Sequence, residues 1–345
     1  PEHRWRLESR RTMDLLERLG LDIPIVQAGM GGGVAGARLA GAVSAAGGLG
    51  TVGILDPDPF ERSLHAAREL APGRPVAANL LLPYTRRRHV EACVRSSIPV
   101  VALHLGFDPG IVTTLREAGI FVLHQVGTVE QATRAIADGA DALIVQGLEA
   151  GGHLVAELPL ADALGRVLEV AGDRPVLAAG GIAEASDVRR LLDAGAVAAV
   201  AGTRFLLTDE SRAHAEYKRR LLGAERTLDT VLFGFGFPAR HRVVPNRATD
   251  RWCGEDERGP RWATAVNRRT GALAKLLPLR AGAVAARLQR PSFPILSPAV
   301  ALEGMPDRVV ESTPLYAGTG TARIHSILPA ASAVRELAGI SPARE

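Results

Sequence analysis

The stretch from Pro175 to Phe205, PVLAAGGIAEASDVRRLLDAGAVAAVAGTRF, holds one complete structural unit and the start of the next. Pro175–Ala179 is a short, continuously apolar run that stops at Gly180-Gly181. Ala185–Asp193 follows with apolar residues at helical spacing, and Gly195 supplies a left-handed stop. Val197–Ala201 is a second apolar run, closed by Gly202-Thr203. A strand apolar on both faces, then a helix, then another such strand, is the pattern of parallel strands joined by crossovers.

Working outward, the same rhythm recurs six times upstream, in Ile23–Ala28, Gly50–Ile54, Val76–Leu80, Pro99–Leu103, Ile120–His124 and Ala142–Gln146. Amphipathic segments separate the runs, at Ala37–Ala46, Pro59–Leu70, Arg87–Arg95, Pro109–Ala118, Val129–Asp138 and Pro159–Val170. Eight strands alternating with helices predict an α/β fold, a closed (β/α)₈ TIM barrel, with a doubly wound open sheet as the alternative. The barrel is expected to span 1–225. Residues 226–312, where Phe233, Phe235, Phe237, Trp252 and Trp262 stand among Gly, Pro and Arg, read as a small helical insertion or lid over the substrate pocket. Glu210–Leu222 and Thr321–Leu337 read as helices, and 313–345 is expected to pack back on the barrel.

Composition excludes several classes. The chain has 345 residues, 47% of them hydrophobic, enough for a large core. Its formal charge is +4 and its pI about 9.6. The cations are spread along the chain and nearly all are arginine, lysine occurring only at Lys218 and Lys275. With so much Ala, Gly and Arg, GC-rich coding bias accounts for this better than a nucleic-acid footprint. The cysteines, Cys93 and Cys253, have no ligand spacing, so neither a disulfide framework nor a metal site is indicated. Pro1–Arg11 lacks the apolar core of a leader, and no apolar run nears the roughly 20 residues that span a bilayer. The expectation is a cytoplasmic protein with no membrane or nucleic-acid partner.

Barrels of this kind carry their chemistry where the strands end. Reading those ends in order gives Ala28-Gly29-Met30-Gly31-Gly32-Gly33, then Asn79, His104, His124-Gln125, Gln146 through His153, Gly180-Gly181 and Gly202-Thr203. Glycines after the last two strands let backbone N–H groups approach an anion, which points to a phosphate. Gly151-Gly152 before His153 leaves that imidazole free to reach the barrel mouth as a general base, or to sit as a turn residue bonded to backbone. Glu149 is placed to orient it, or is a simple loop carboxylate. His104 and His124 are candidates for the pocket, with core or supporting roles open. His3, His65, His89, His214, His241 and His325 take surface positions by default. The Gly31-Gly32-Gly33 run has the wrong spacing for a dinucleotide fingerprint. The aromatic cluster Phe233–Phe237, Phe235 within it, is read as pocket wall or lid core.

Taken together these residues resemble the nitronate monooxygenase family, relatives of the flavin-dependent enoyl reductases. Pro24-Ile-Val-Gln-Ala-Gly-Met-Gly-Gly32 with Ala45-Ala-Gly-Gly-Leu-Gly50, Gln146-Gly-Leu-Glu-Ala-Gly-Gly-His153, Ala179-Gly-Gly-Ile182, Gly202-Thr-Arg-Phe205 and Tyr316-Ala-Gly318 carry the likeness. It runs from Leu15 to Leu222 and resumes at Leu315. The resemblance implies FMN as cofactor, with its phosphate on Gly181, Gly202 and Thr203, Gly180 beside them. Ala28, Gly29, Met30, Asn79, Gln125, Gln146, Ala150, Gly151 and Gly152 would line its ring and chain. It implies His153 as catalytic base and oxidation of alkyl nitronates by O₂ to a carbonyl compound and nitrite. The alternative is NAD(P)H-dependent reduction of enoyl thioesters or quinones. Tyr316, with Phe235, is expected on the substrate side. The sequence departs from the family at Gly29, often Pro, at Gln125, Lys in some members, and at Leu154, commonly Gly or Pro. The stretch 232–305 matches no motif, and substrate choice is expected there.

Overall fold

The computed structural model describes residues 10–274 and 278–340. Lys275, His3 and most of the Pro1–Arg11 segment lie outside the described residues. The strands are β1 (Ile25–Gln27), β2 (Gly50–Val52), β3 (Val76–Leu81), β4 (Val100–His104), β5 (Phe121–Val126), β6 (Ala142–Gln146), β7 (Gly152–His153), β8 (Val176–Ala179), β9 (Ala198–Ala201), β10 (Leu228–Thr230), β11 (His241–Val244) and β12 (Leu315–Tyr316). Eight of them form one parallel sheet in the order β1-β9-β8-β6-β5-β4-β3-β2. A parallel bridge between Val26 and Leu49 brings the two ends together. The Leu49 N–H donates to the Ile25 carbonyl and the Gln27 N–H to the Leu49 carbonyl, both at 2.9 Å. The fold is a (β/α)₈ barrel, not an open sheet.

Side chains alternate along each barrel strand, and the two sets enter different cores. Ala77, Val100, Ala102, Phe121, Leu123, Ala142, Ile144, Leu177 and Val200 fill the interior. Ala78, Val101, Leu103 and Val122 pack outward against helices, as do Leu143, Val145, Val176 and Ala199. An additional helix, Arg10–Leu19, plugs the N-terminal end, where Leu15, Leu16 and Leu19 join Val100, Phe121 and Val197.

Two expected helices are shorter than the sequence pattern. Of Glu210–Leu222 only Ala215–Leu221 is helical. The preceding residues are held extended by bridges from Thr208 to Leu328 and Ala213 to Leu302. The Lys218 ammonium fastens the bend, donating to the carbonyls of Thr208 (2.6 Å) and Ser211 (2.7 Å). Of Thr321–Leu337, residues Thr319–Arg323 form a 3₁₀ turn and Ala330–Leu337 a helix that starts behind Pro329. That last helix packs against Ala37–Ala45 and Ala185–Asp193.

The stretch between barrel and tail is not only helical. It carries helices Arg261–Ala274 and Arg280–Leu288, and strands β10 and β11, which join β12 and β7 in a four-stranded antiparallel sheet. No helix among the described residues is long and apolar enough to cross a membrane.

Glycines mark where the barrel is tightest. A Cβ on Gly50 would lie 1.8 Å from the Ala40 carbonyl oxygen, whereas one on Gly165, inside helix Leu160–Ala171, would meet nothing within 4 Å. Gly50→Ala is therefore expected to destabilise the fold by about 1–3 kcal/mol or more. Gly165→Ala should stabilise it by about 0.5–1 kcal/mol. Equilibrium denaturation of both variants checks the pair; an unchanged Gly50→Ala would mean that β2 does not sit this close to its helix.

Candidate active site

The barrel interior opens at the C-terminal ends of the strands into a cavity of about 360 Å³. Alternation decides which strand-end residues reach it. Continuing the inward set brings in Asn79, His104, Gln125 and Gln146, and all four line the cavity. His124 has the opposite parity and does not. Its ring lies outside the barrel, stacked on Phe107 at 4.9 Å, and its Nε2–H donates to the Gly106 carbonyl at 2.9 Å. The expectation that His124 lines the substrate pocket is corrected: a step of one residue along a strand turns a side chain to the other face.

The remaining expected residues converge. Ala28, Gly29, Met30, Ala150, Gly151, Gly152, His153, Gly180, Gly181, Gly202, Thr203, Phe235 and Tyr316 all line the same cavity. Asn79 lies against Gly29 so closely that a Cβ there would be 2.2 Å from the Asn79 Cβ. Close approach also joins the loops: a Cβ on Gly151 would meet Ala317, one on Gly318 the Glu149 carbonyl, and one on Gly320 the Gly181 carbonyl, each within 2.6 Å. Thr203 Oγ accepts from the Gly318 N–H at 3.0 Å. Gly181 holds a left-handed φ of 68°. The backbone N–H groups of Gly181 and Gly202 have no partner among the described residues.

His153 stands on β7, which pairs with β11 so that His153 faces His241 and Gly152 faces Arg242. The Leu154 N–H donates to the Arg240 carbonyl at 2.8 Å, extending the pairing. Gln146 holds the loop from below, its Nε2 donating to the His153 carbonyl (3.0 Å) and its Oε1 accepting from the Val155 N–H (2.7 Å). Phe237, Tyr316 and His241 surround the His153 ring at centroid distances of 5.0, 5.4 and 5.7 Å. Glu149 does not orient it. That carboxylate accepts from the Leu160 N–H at 2.9 Å, tying the loop to the following helix.

The electrostatics are those of a neutral site. Among the described residues, none that lines the cavity is Asp, Glu, Lys or Arg. Burial, then the neighbouring His241 and His104, hold His153 well below its ordinary value. Burial, with His124 nearby, pulls His104 down to about 3. Burial takes His241 to about 4 against the hydrogen bond its ring gives the Ala239 carbonyl. All three rings are neutral at pH 7. Three buried polar atoms in this cavity, Asn79 Oδ1, His104 Nε2 and His153 Nε2, have no hydrogen-bond partner among the described residues. Buried polar atoms are nearly always paired, so three orphans in one cavity mark groups meant for a ligand.

Sequence reasoning missed His241, Tyr84 and Gly320, all close to or lining this site. Default surface placement fails for His89 and His214 as well as His241. Each is buried and ties two backbone segments: His89 between Arg86 and Leu55, His214 between Glu216 and Met305, His241 between Phe233 and Ala239. No local pattern separates such a histidine from a surface one.

The family model for nitronate monooxygenase matches residues 14–89 and 84–339, including the stretch 232–305 in which no motif was visible. The chain belongs to the nitronate monooxygenase family. It is an oxidoreductase. The nitronate monooxygenase of Pseudomonas aeruginosa is 35% identical over 282 residues, 66% of this chain and 78% of that protein. The (3aS,4S,5R,7aS)-5-hydroxy-7a-methyl-1-oxo-octahydro-1H-indene-4-carboxyl-CoA dehydrogenase of Mycobacterium tuberculosis is 34% identical over 246 residues, 69% of this chain and 67% of that protein. Among solved structures, nitroalkane oxidase from Streptomyces ansochromogenes superposes with a TM-score of 0.74 at 30% identity, covering 94% and 96% of the two chains. FabK from Thermotoga maritima has the same fold, with a TM-score of 0.74 at 24% identity and 94% of each chain covered.

The buried imidazoles couple stability to pH. An unfolded histidine protonates near 6.5, while folded His241 resists protonation down to about 4 and His104 to about 3. Below 6.5 the unfolded chain binds more protons, so stability is intact above 6.5 and lost as pH falls towards those folded values. The slope is about 1.4 kcal/mol per pH unit for each such ring. His241→Gln should flatten the dependence between pH 6.5 and 4; an unchanged slope would mean that His241 is not buried as a neutral ring.

Proposed function

We propose that this protein binds FMN in the barrel mouth and oxidises nitroalkanes or alkyl nitronates with O₂ to a carbonyl compound and nitrite. The observation that carries the reading is the set of orphaned polar groups in one charge-free cavity: His153 Nε2, His104 Nε2, Asn79 Oδ1 and the free N–H groups of Gly181 and Gly202. Those residues fit the cofactor. Gly181, Gly202 and Thr203, with Gly180 beside them, would take the phosphate on backbone amides and a hydroxyl, as barrels do after their last two strands. Asn79, Gln125, Gln146 and the Ala28-Gly29-Met30 and Ala150-Gly151-Gly152 turns would hold the ring and its chain. When bound, the flavin supplies a two-electron acceptor that O₂ reoxidises.

The chain's own residues supply proton chemistry and shape. His153 is neutral, so its unpartnered Nε2 can take the α-proton of a neutral nitroalkane without first losing one. The packed rings of Phe237, Tyr316 and His241 hold that imidazole in one orientation and keep water away. His104 offers a second neutral ring nitrogen for the nitro oxygens. Segment 226–312 would act as the substrate lid, with Phe235, Phe237 and Leu279 on the cavity wall, while 313–340 packs back on the barrel.

A second reading is favoured by one observation, the likeness to a carboxyl-CoA dehydrogenase. It makes the protein an NAD(P)H-dependent FMN reductase of enoyl thioesters or quinones. Anaerobic stopped-flow absorbance of the FMN-loaded protein separates the two: bleaching by propyl-2-nitronate supports the oxidase, and bleaching by NADH or NADPH alone supports the reductase.

His153→Asn is expected to retain FMN and to lose about 10²- to 10⁴-fold in turnover of neutral nitroalkane, with a smaller effect on preformed nitronate. Steady-state oxygen uptake with both substrate forms measures this. Equal losses on the two forms would remove His153 from the role of base.

A further inference from the structure

The outer surface of the lid is as strongly charged as the cavity beneath it is neutral. From Arg258 to Leu302 the sequence holds eight basic residues and no Asp or Glu, in a chain with 41 Lys and Arg against 37 Asp and Glu. The cations are therefore not evenly spread, as composition alone suggested. Arg261, Arg268, Arg269, Arg280, Arg287 and Arg290 are all exposed. Among the described residues, the only ion pair in this band is that of Arg258 with Asp229 at 3.7 Å.

Large apolar side chains stand among these arginines. Helix Arg280–Leu288 turns Ala281, Gly282 and Ala285 to the cavity. Its opposite face carries Arg280, Val284, Arg287 and Leu288, with Val284 and Leu288 59% and 73% exposed. Helix Arg261–Ala274 presents Trp262, Val266 and Arg269 at the same helical spacing, Trp262 being 50% exposed. The Trp262 ring meets Phe293, itself 59% exposed, at 6.4 Å. The Trp262–Phe293 contact joins helix Arg261–Ala274 to the segment that follows Arg280–Leu288, so this face holds exposed Trp, Phe, Leu and Val interspersed with Arg.

We propose that this face docks on an anionic lipid bilayer and that apolar substrates pass from the membrane into the cavity beneath the lid. The delivery part rests on the lid and cavity being the substrate site; the docking part does not. Arginine interspersed with exposed Trp, Phe and Leu is the composition of helices that lie in a headgroup layer, the cations on lipid phosphates and the apolar side chains below them. A second copy of the chain is a poor occupant, because a symmetric contact would set arginine against arginine. An acidic protein would match the charge, but a neutral, largely apolar cavity opening behind this face fits a substrate that already partitions into lipid.

Flotation of the FMN-loaded protein with phosphatidylcholine vesicles, with and without about 30% phosphatidylglycerol, tests the proposal at low ionic strength. Binding is expected only to the anionic vesicles, and to be abolished by about 0.5 M salt. Val284→Asp with Leu288→Asp should abolish it, and Arg287→Gln alone should weaken it about fivefold. Both variants should keep the flavin absorbance of the parent, which shows that they remain folded. Failure to float with anionic vesicles would overturn the proposal, as would binding that survives the double substitution. Self-association that the same substitutions dissolve would overturn it in favour of a dimer face. Because the readout is flotation, it stands whether or not nitronate or NADH reduces the flavin.

Discussion

A closed ring of parallel strands leaves each strand residue two directions, into the barrel or out to the helices, and register fixes which. Once Val26 bridges Leu49 and the ring is shut, the inward series through Ala77, Ala102, Leu123 and Ile144 must end on Asn79, His104, Gln125 and Gln146. The polar rung at the top of an otherwise apolar interior follows from that constraint. The apolar interior buries His104, which keeps its ring neutral and leaves Nε2 without a partner among the described residues.

His153 is held differently. It lies on a strand of two residues, too short to persist alone, and is fixed by antiparallel pairing with His241 and Arg242 from the segment beyond the barrel. The same segment sends Arg242 Nε to the Leu148 carbonyl at 2.9 Å and pairs Val243 with Tyr316. Strand β11 is thus the second wall of the loop that carries His153, and it ties His153 and Tyr316 into one sheet. Burial of both rings makes their charged forms costly, so both are neutral at pH 7.

Helix Arg280–Leu288 separates two environments. Small residues on the inner face of Arg280–Leu288 leave room for a substrate, while arginine, valine and leucine occupy the outer face. An amphipathic helix normally buries its apolar stripe and exposes its charges; here Val284 and Leu288 are exposed together with the charges. That inversion is unexplained by the packing of the chain on itself.

Much of this was legible in the residues themselves. Continuous apolar runs punctuated by glycine set the strands, and helical spacing with glycine stops set the helices, because both signals are local and repeat eight times. The strand-end reading reached the polar and glycine residues at the barrel mouth, but not Tyr84, Leu279 or Val300, which other segments bring to the cavity. What the sequence could not decide was anything that depends on partners far along the chain. His124 and His104 look alike in sequence, and only register sends one out and the other in. The expected helix over Glu210–Leu222 lost its first turn to bridges with Leu302 and Leu328. His241 sits 88 positions from His153 in the numbering and next to it in the sheet. Local chemistry fixes secondary structure and turn residues; which imidazole is buried, unpaired and aimed at a ligand is decided by long-range packing, which leaves no mark in the spacing of residues.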